Sequence, residues 1–121
     1  GVDAELFEET YRVLLRYTKR MLPELKLILL GAYLTHGTAT DGTQRDGFYK
    51  ELALRNSITH RLAAEFGEEF LDLQKIFDEA CEMFPPEHWT QDGIHPTAAG
   101  HRLIANAWEK KMQPTLMTAE K

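Results

Sequence analysis

Residues 26–33 read Lys26-Leu27-Ile28-Leu29-Leu30-Gly31-Ala32-Tyr33. Four consecutive aliphatic side chains with no polar break predict a short strand covered on both faces, the pattern of a parallel sheet. Pro23 just before the run and Gly31 at its end argue against a helix. Outward from this strand, helix and strand patterns alternate. Upstream, Asp3 is placed to cap a helix reaching about Met21. Glu5, Glu8 and Glu9 lie in its first turns and Arg16, Lys19 and Arg20 in its last, signs that match the helix dipole. Phe7, Tyr11, Leu14, Thr18 and Met21 recur at three- and four-residue steps, and Leu15 and Leu22 widen the stripe.

Downstream, residues 34–47 form a polar loop with Gly37, Gly42 and Gly47, a length that is often functional. Residues 48–66 read as a second helix that buries Leu52, Ile58, Leu62 and Phe66 and stops at Gly67. Phe70-Leu71-Asp72-Leu73 reads as a second strand. Residues 78–83 read as helical, Pro85-Pro86 as a break, residues 89–95 as a loop, and residues 98–112 as a last helix with Leu103, Ile104, Ala107 and Trp108 inward. Residues 115–121 read as a frayed tail.

The order α-β-α-β-α places the chain in the α/β class, and two strands joined through a helix form a right-handed parallel crossover. A two-stranded sheet has two open edges, whereas stable sheets normally hold three or more strands. The expectation is that another chain, or the remainder of a larger fold, completes this sheet. Homo-oligomerisation through the open strand edge follows from the same reasoning.

The 121 residues suit one domain. Apolar residues at 43% and charged residues at 27% argue for a packed globule over disorder. Fourteen basic against nineteen acidic residues give a net charge of −5, with no surplus to neutralise phosphates, so nucleic-acid binding is not expected. No apolar run approaches the ~20 residues of a membrane span. Residues 1–5 show neither the basic nor the apolar region of a secretory leader. The compartment stays open, with the cytoplasm slightly favoured. Cys81 is the sole cysteine, which excludes an intrachain disulfide; it reads as a packed side chain. His36, His60, His88, His95 and His101 are not spaced as metal ligands, and neither metal nor cofactor is expected. Glu65, Glu68 and Glu69 read as a solvated helix end.

The chemistry concentrates in Trp89-Thr90-Gln91-Asp92-Gly93-Ile94-His95-Pro96-Thr97-Ala98-Ala99-Gly100-His101. A carboxylate three residues before an imidazole can curl back within one turn and accept the Nδ1 proton. Nε2 is then left unprotonated, as a general base requires. The bland alternative makes Asp92 a turn residue and His95 a surface histidine.

The longer string Asp92-Gly93-Ile94-His95-Pro96-Thr97-Ala98-Ala99-Gly100-His101-Arg102-Leu103-Ile104-Ala105 resembles the C-terminal block of the SGNH hydrolases, the GDSL-type lipases and acylhydrolases. That block reads D-G-x-H-P-(T/N)-x-x-G-(H/Y)-x-x-(I/M)-A. The helix–strand pair over residues 7–30 and the strand at residues 70–73 resemble the family too, so the likeness extends over essentially the whole chain. It implies a flavodoxin-like three-layer α/β/α sandwich and hydrolysis of a small-molecule ester by a Ser-His-Asp triad. His95 would be the general base and Asp92 its orienting carboxylate. Trp89, Gly93 and Ile94 would shape the loop that presents them. Independently of the resemblance, the loop with Thr35 and His36 leaves the C-terminal end of the first strand, the edge at which parallel α/β sheets bind ligands, so it either contacts substrate or is a solvated connection.

The family's G-D-S and G-x-N-D blocks, which carry the nucleophile and oxyanion hole, have no counterpart here. The one serine, Ser57, lies inside the second helix pattern, away from the sharp turn a nucleophile needs. The chain therefore looks like the C-terminal part of such a domain, with the N-terminal nucleophile-bearing part absent. Alone, it is expected to be inactive. The alternative is a non-catalytic, self-associating fragment or interaction module.

Overall fold

A computed structural model describes residues 2–119. Helix α1 spans Ala4–Met21, strand β1 Ile28–Gly31, helix α2 Arg45–Glu65, strand β2 Glu69–Asp72, helix α3 Leu73–Met83, helix α4 Pro86–Trp89 and helix α5 Ala98–Ala119. The two strands pair in parallel, with Leu29 beside Phe70 and Leu30 beside Leu71. Among the described residues no helix is long and apolar enough to cross a membrane.

Asp3 does cap α1, accepting the Leu6 N–H at 2.8 Å. The helix buries Leu15, with Ala4, Phe7 and Tyr11 beside it, against Leu29, Ile58, Leu62 and Ala63. Leu14, Met21 and Leu22, expected in the same stripe, are exposed. Only the side of α1 that meets α2 and the sheet can be covered, and Leu14 is turned about 100° from Leu15, one residue's rotation. With Leu6, Val13 and Tyr17, these side chains make a second, outward apolar strip.

Alternation along the strands assigns Leu29 and Phe70 to the side of α1 and α2, and Leu30 and Leu71 to the opposite face. Helix α5 packs on β2 there, and Lys111 on it approaches Glu69 at 3.7 Å. The sheet thus has helices on both faces, the three-layer α/β/α arrangement. Coverage is uneven, however. Leu71 is buried while Leu30 is 45% exposed, which corrects the expectation of a strand enclosed on both sides. Full burial of Leu29, Leu62 and Phe77 contributes about 1.5–3 kcal/mol each.

Several boundaries differ from the sequence reading. Asp72 accepts the Lys75 N–H at 3.1 Å and caps α3, so β2 passes into that helix at Leu73 without a loop. Leu73 is therefore helical, and α3 buries Leu73, Phe77 and Ala80. Pro86 opens the single turn of α4 instead of merely breaking α3, since proline suits a first helical position. Helix α5 continues through Pro114 to Ala119, where a frayed tail was expected, and Met112 and Thr115 stay half-buried along it. Glu120 and Lys121 lie outside the described residues. Trp108, expected inward, is exposed.

Of the acidic cluster, Glu65 and Glu69 are exposed as expected, and Glu68 is not. The Glu68 side chain is buried and binds Lys19 of α1, and its second oxygen accepts the Leu27 N–H at 2.7 Å. Burial pushes its carboxyl up, but the lysine and the amide outweigh that and hold it below the usual range. Glu65 takes a two-pronged contact from Arg12, at 2.8 and 3.0 Å.

Candidate functional site

The turn over residues 91–95 is closed by its own backbone. The Gln91 N–H donates to the His95 carbonyl at 2.8 Å and the Thr97 N–H to the Trp89 carbonyl at 3.0 Å. Within it, Asp92 Oδ1 accepts the backbone N–H groups of Ile94 (2.9 Å) and His95 (2.8 Å). Oδ2 lies 2.7 Å from His95 Nδ1. Those two amides and the imidazole hold the Asp92 carboxyl down at about 2. An ionised carboxylate only accepts, so the proton between them sits on Nδ1, and in the neutral ring the Nε2 lone pair is then free. The imidazole is 71% exposed. Thr97 then starts α5: its Oγ1 accepts the Gly100 N–H at 3.2 Å and donates to the His88 carbonyl at 2.7 Å.

The loop after β1 forms the floor of this turn. A Cβ on Gly37 would fall 2.1 Å from the Asp92 carbonyl carbon, so only glycine permits that approach. The Ala39 N–H donates to the Asp92 carbonyl at 2.9 Å. Gly93 has φ of +105°, a conformation that glycine supplies without strain.

The other predicted loop residues divide. Thr35 is buried inside the loop pair instead of facing solvent. His36 is exposed, with Nδ1 2.9 Å from Asp41 Oδ1, on a polar cleft shared with Thr38, Glu87 and Gln91. The Trp89 indole N–H donates to the carbonyls of Ala80 and Phe84, at 3.0 and 3.1 Å, and so ties the turn to the end of α3. Ile94 is partly exposed and lines an apolar groove of about 300 Å³ with Leu34, Ala39, Phe48 and Leu52. Its carbonyl accepts the Tyr33 hydroxyl at 2.9 Å. Burial, and then the Asp92 charge, push that phenol's pKa up.

Ser57 donates to the Leu54 carbonyl at 2.6 Å within α2. His60 stacks on Phe70, and His88 on Phe84. Among the described residues no three His, Cys, Asp or Glu side chains gather to hold a metal. Sequence reasoning placed Gly37, Thr40 and Thr90 in the two loops of interest but assigned none of them a part in holding the Asp92 turn. For Gly37 and Thr40 the sequence signal was a loop rich in threonine and glycine; Thr90 carried none beyond its place two residues before Asp92.

A GDSL-like lipase from Parabacteroides merdae superimposes with a TM-score of 0.83 and 29% identity, over 91% of this chain and 50% of that one. The chain resembles the GDSL-type, SGNH hydrolases. An acetylxylan esterase from Geobacillus stearothermophilus is 23% identical over 110 residues, 91% of this chain and 49% of that protein. Its solved structure gives a TM-score of 0.77 with 24% identity, over 93% of this chain and 48% of its own. An alpha/beta hydrolase from the Lake Arreo metagenome matches at 0.75 with 26% identity, over 93% and 49% of the two chains. The 121 residues thus span about half the length of these relatives. Three further solved structures are catalytic mutants of the Geobacillus esterase, at a serine, an aspartate, and a histidine three residues after that aspartate. No protein-family profile matches the chain.

Proposed function

We propose that this chain supplies the acid–base part of a serine ester hydrolase, with His95 as general base and Asp92 as its orienting carboxylate. The observation that carries the reading is the 2.7 Å contact between His95 Nδ1 and Asp92 Oδ2 beneath an exposed ring. The Asp-x-x-His spacing shared with the catalytic residues of the Geobacillus esterase supports it. The nucleophile is a serine from outside these 121 residues. Nε2 takes its hydroxyl proton as the oxygen attacks the ester carbonyl, and the Asp92 carboxylate stabilises the imidazolium. The imidazolium then gives that proton to the departing alcohol, leaving an acyl-serine. Water, deprotonated by the same Nε2, releases the acid and restores the serine.

The test pairs the chain with a segment bearing the G-D-S and G-x-N-D blocks and follows p-nitrophenyl acetate. Activity is expected from the pair and not from the chain alone, with Ser57→Ala unchanged from the parent. Asp92→Asn is expected to cut kcat of the pair by about 10⁴-fold, because the amide favours the wrong tautomer. A folded complex with no turnover overturns the reading.

A second reading, self-association through β1, is favoured by the partly open Leu30 and by the apolar outer strip of α1. Among the described residues β1 pairs only with β2, and an uncovered edge is a template for another strand. Sedimentation at micromolar concentration distinguishes it: an oligomer supports the reading and a monodisperse monomer ends it.

A further inference from the structure

Two peptide planes between Asp92 and His95 decide where the carboxylate sits, and each is gripped at both ends. In the plane joining Asp92 to Gly93, the carbonyl accepts the Ala39 N–H at 2.9 Å and the Gly93 N–H donates to Thr90 Oγ1 at 3.0 Å. In the plane joining Gly93 to Ile94, the carbonyl accepts the Thr35 N–H at 2.9 Å and the Ile94 N–H donates to Asp92 Oδ1 at 2.9 Å. Thr90 Oγ1 and Thr35 Oγ1 lie 2.7 Å apart and close the ring. A third hydroxyl, Thr40 Oγ1, donates to the Thr35 carbonyl. All three threonines are buried.

This arrangement has a mechanical consequence. A glycine at φ of +105° has more freedom to rotate than any other residue, so a peptide on either side of it stays put only if held. The C=O and N–H of one trans peptide point in opposite directions. Thr35 gripping the Gly93 carbonyl therefore aims the Ile94 N–H at the carboxylate, and Thr90 fixes the plane before it. If Thr90 lost its hydroxyl, the buried Gly93 amide would have no acceptor and would turn to find one. The Ile94 N–H would swing off Asp92 Oδ1, leaving the His95 N–H at 2.8 Å as the remaining amide on that oxygen, a single point about which the carboxylate can turn and carry Oδ2 off Nδ1.

We infer that Thr90, backed by Thr35, is a positioning residue that sets the tautomer of His95 through the two peptides flanking Gly93. The inference rests on the acid–base reading of Asp92 and His95, and neither threonine touches the reacting atoms.

The readout is the ¹⁵N spectrum of the His95 ring in the intact chain at neutral pH, which distinguishes Nδ1–H from Nε2–H without any substrate. In the parent protein Nδ1–H is expected, against the Nε2–H form that a free imidazole prefers. Thr90→Val is expected to shift the ring toward Nε2–H, and Thr90→Ser to restore the parent spectrum. Thr59→Val removes another buried hydroxyl, one that donates to the Arg55 carbonyl in α2, and is expected to leave the ring unchanged. That control separates positioning from a general loss of stability. If Thr90→Val does not fold, Thr90→Ala, which also leaves the Gly93 N–H without its acceptor, decides: a shifted tautomer supports the inference and an unshifted one overturns it. A folded Thr90→Val protein with the parent tautomer also overturns it. Nε2–H in the parent protein itself would instead remove the acid–base reading beneath.

Discussion

The Asn56 carboxamide reaches from α2 and satisfies both backbone groups of Ala32: Nδ2 donates to its carbonyl at 2.8 Å and Oδ1 accepts its N–H at 2.9 Å. Gln74 of α3 does the same for Leu34, at 2.9 and 2.8 Å. The segment that leaves β1 thus has no strand beside it at these two residues, yet its hydrogen bonds are made. That keeps the floor of the Asp92 turn in place. Asn56→Leu is expected to destabilise by about 0.5–1.5 kcal/mol, the net worth of hydrogen bonds that water can partly replace at the exposed Ala32. Urea unfolding checks this, and a change near zero would mean that water replaces the amide.

Gly37 and Gly47 make a matched pair. A methyl group on Gly37 meets the Asp92 backbone, whereas on Gly47, in the first turns of α2, it meets nothing within 4 Å. Gly37→Ala is expected to cost about 1–3 kcal/mol as the two loops are forced apart. Gly47→Ala is expected to stabilise by about 0.5–1 kcal/mol. Thermal unfolding of the two variants side by side tests both signs.

The Asp92 carboxyl sits at about 2, below its ordinary 3.8. A carboxyl depressed on folding contributes stability that is complete above the ordinary value and is lost as pH falls through the folded one. The Asp92 contribution is therefore full above about pH 4 and disappears toward pH 2. Carboxyl ¹³C titration is expected to place the Asp92 midpoint near 2, and a midpoint near 3.8 would mean that the turn is not held.

Glu68 joins the end of α1, through Lys19, to the start of β1, through the Leu27 N–H. Glu68→Gln keeps the shape and removes the charge. It is expected to cost about 1–3 kcal/mol at neutral pH, because charge-assisted hydrogen bonds are the stronger ones. The deficit is expected to shrink in acid as the parent carboxyl protonates. Urea midpoints for both proteins at pH 7 and pH 3 measure it.

Local spacing made much of this legible. Asp3 caps α1 because a carboxylate at that position can reach only the first free amides. Asp92 reaches His95 because three residues of one turn leave the two side chains adjacent. Leu27-Ile28-Leu29-Leu30 reads as a strand because Pro23 and Gly31 bound it. The start of α3 was hidden because Asp72 acts both as the last strand residue and as the cap. The exposure of Leu14 and Met21 was hidden because α1 is apolar on two sides and only its neighbours select one.

The sequence by itself determined the two strands, the long helices around them and the adjacency of Asp92 and His95, since chain connectivity fixes what lies within a turn, whereas the single turn of α4 read only as a break. The tertiary structure alone decided that Thr35, Gly37 and Ala39 would floor that turn, that Glu68 would be buried on Lys19, and that Leu30 would be left partly open. Those contacts join residues tens of positions apart. They depend on how α2 and α3 dock against the sheet, and no spacing in the chain encodes that.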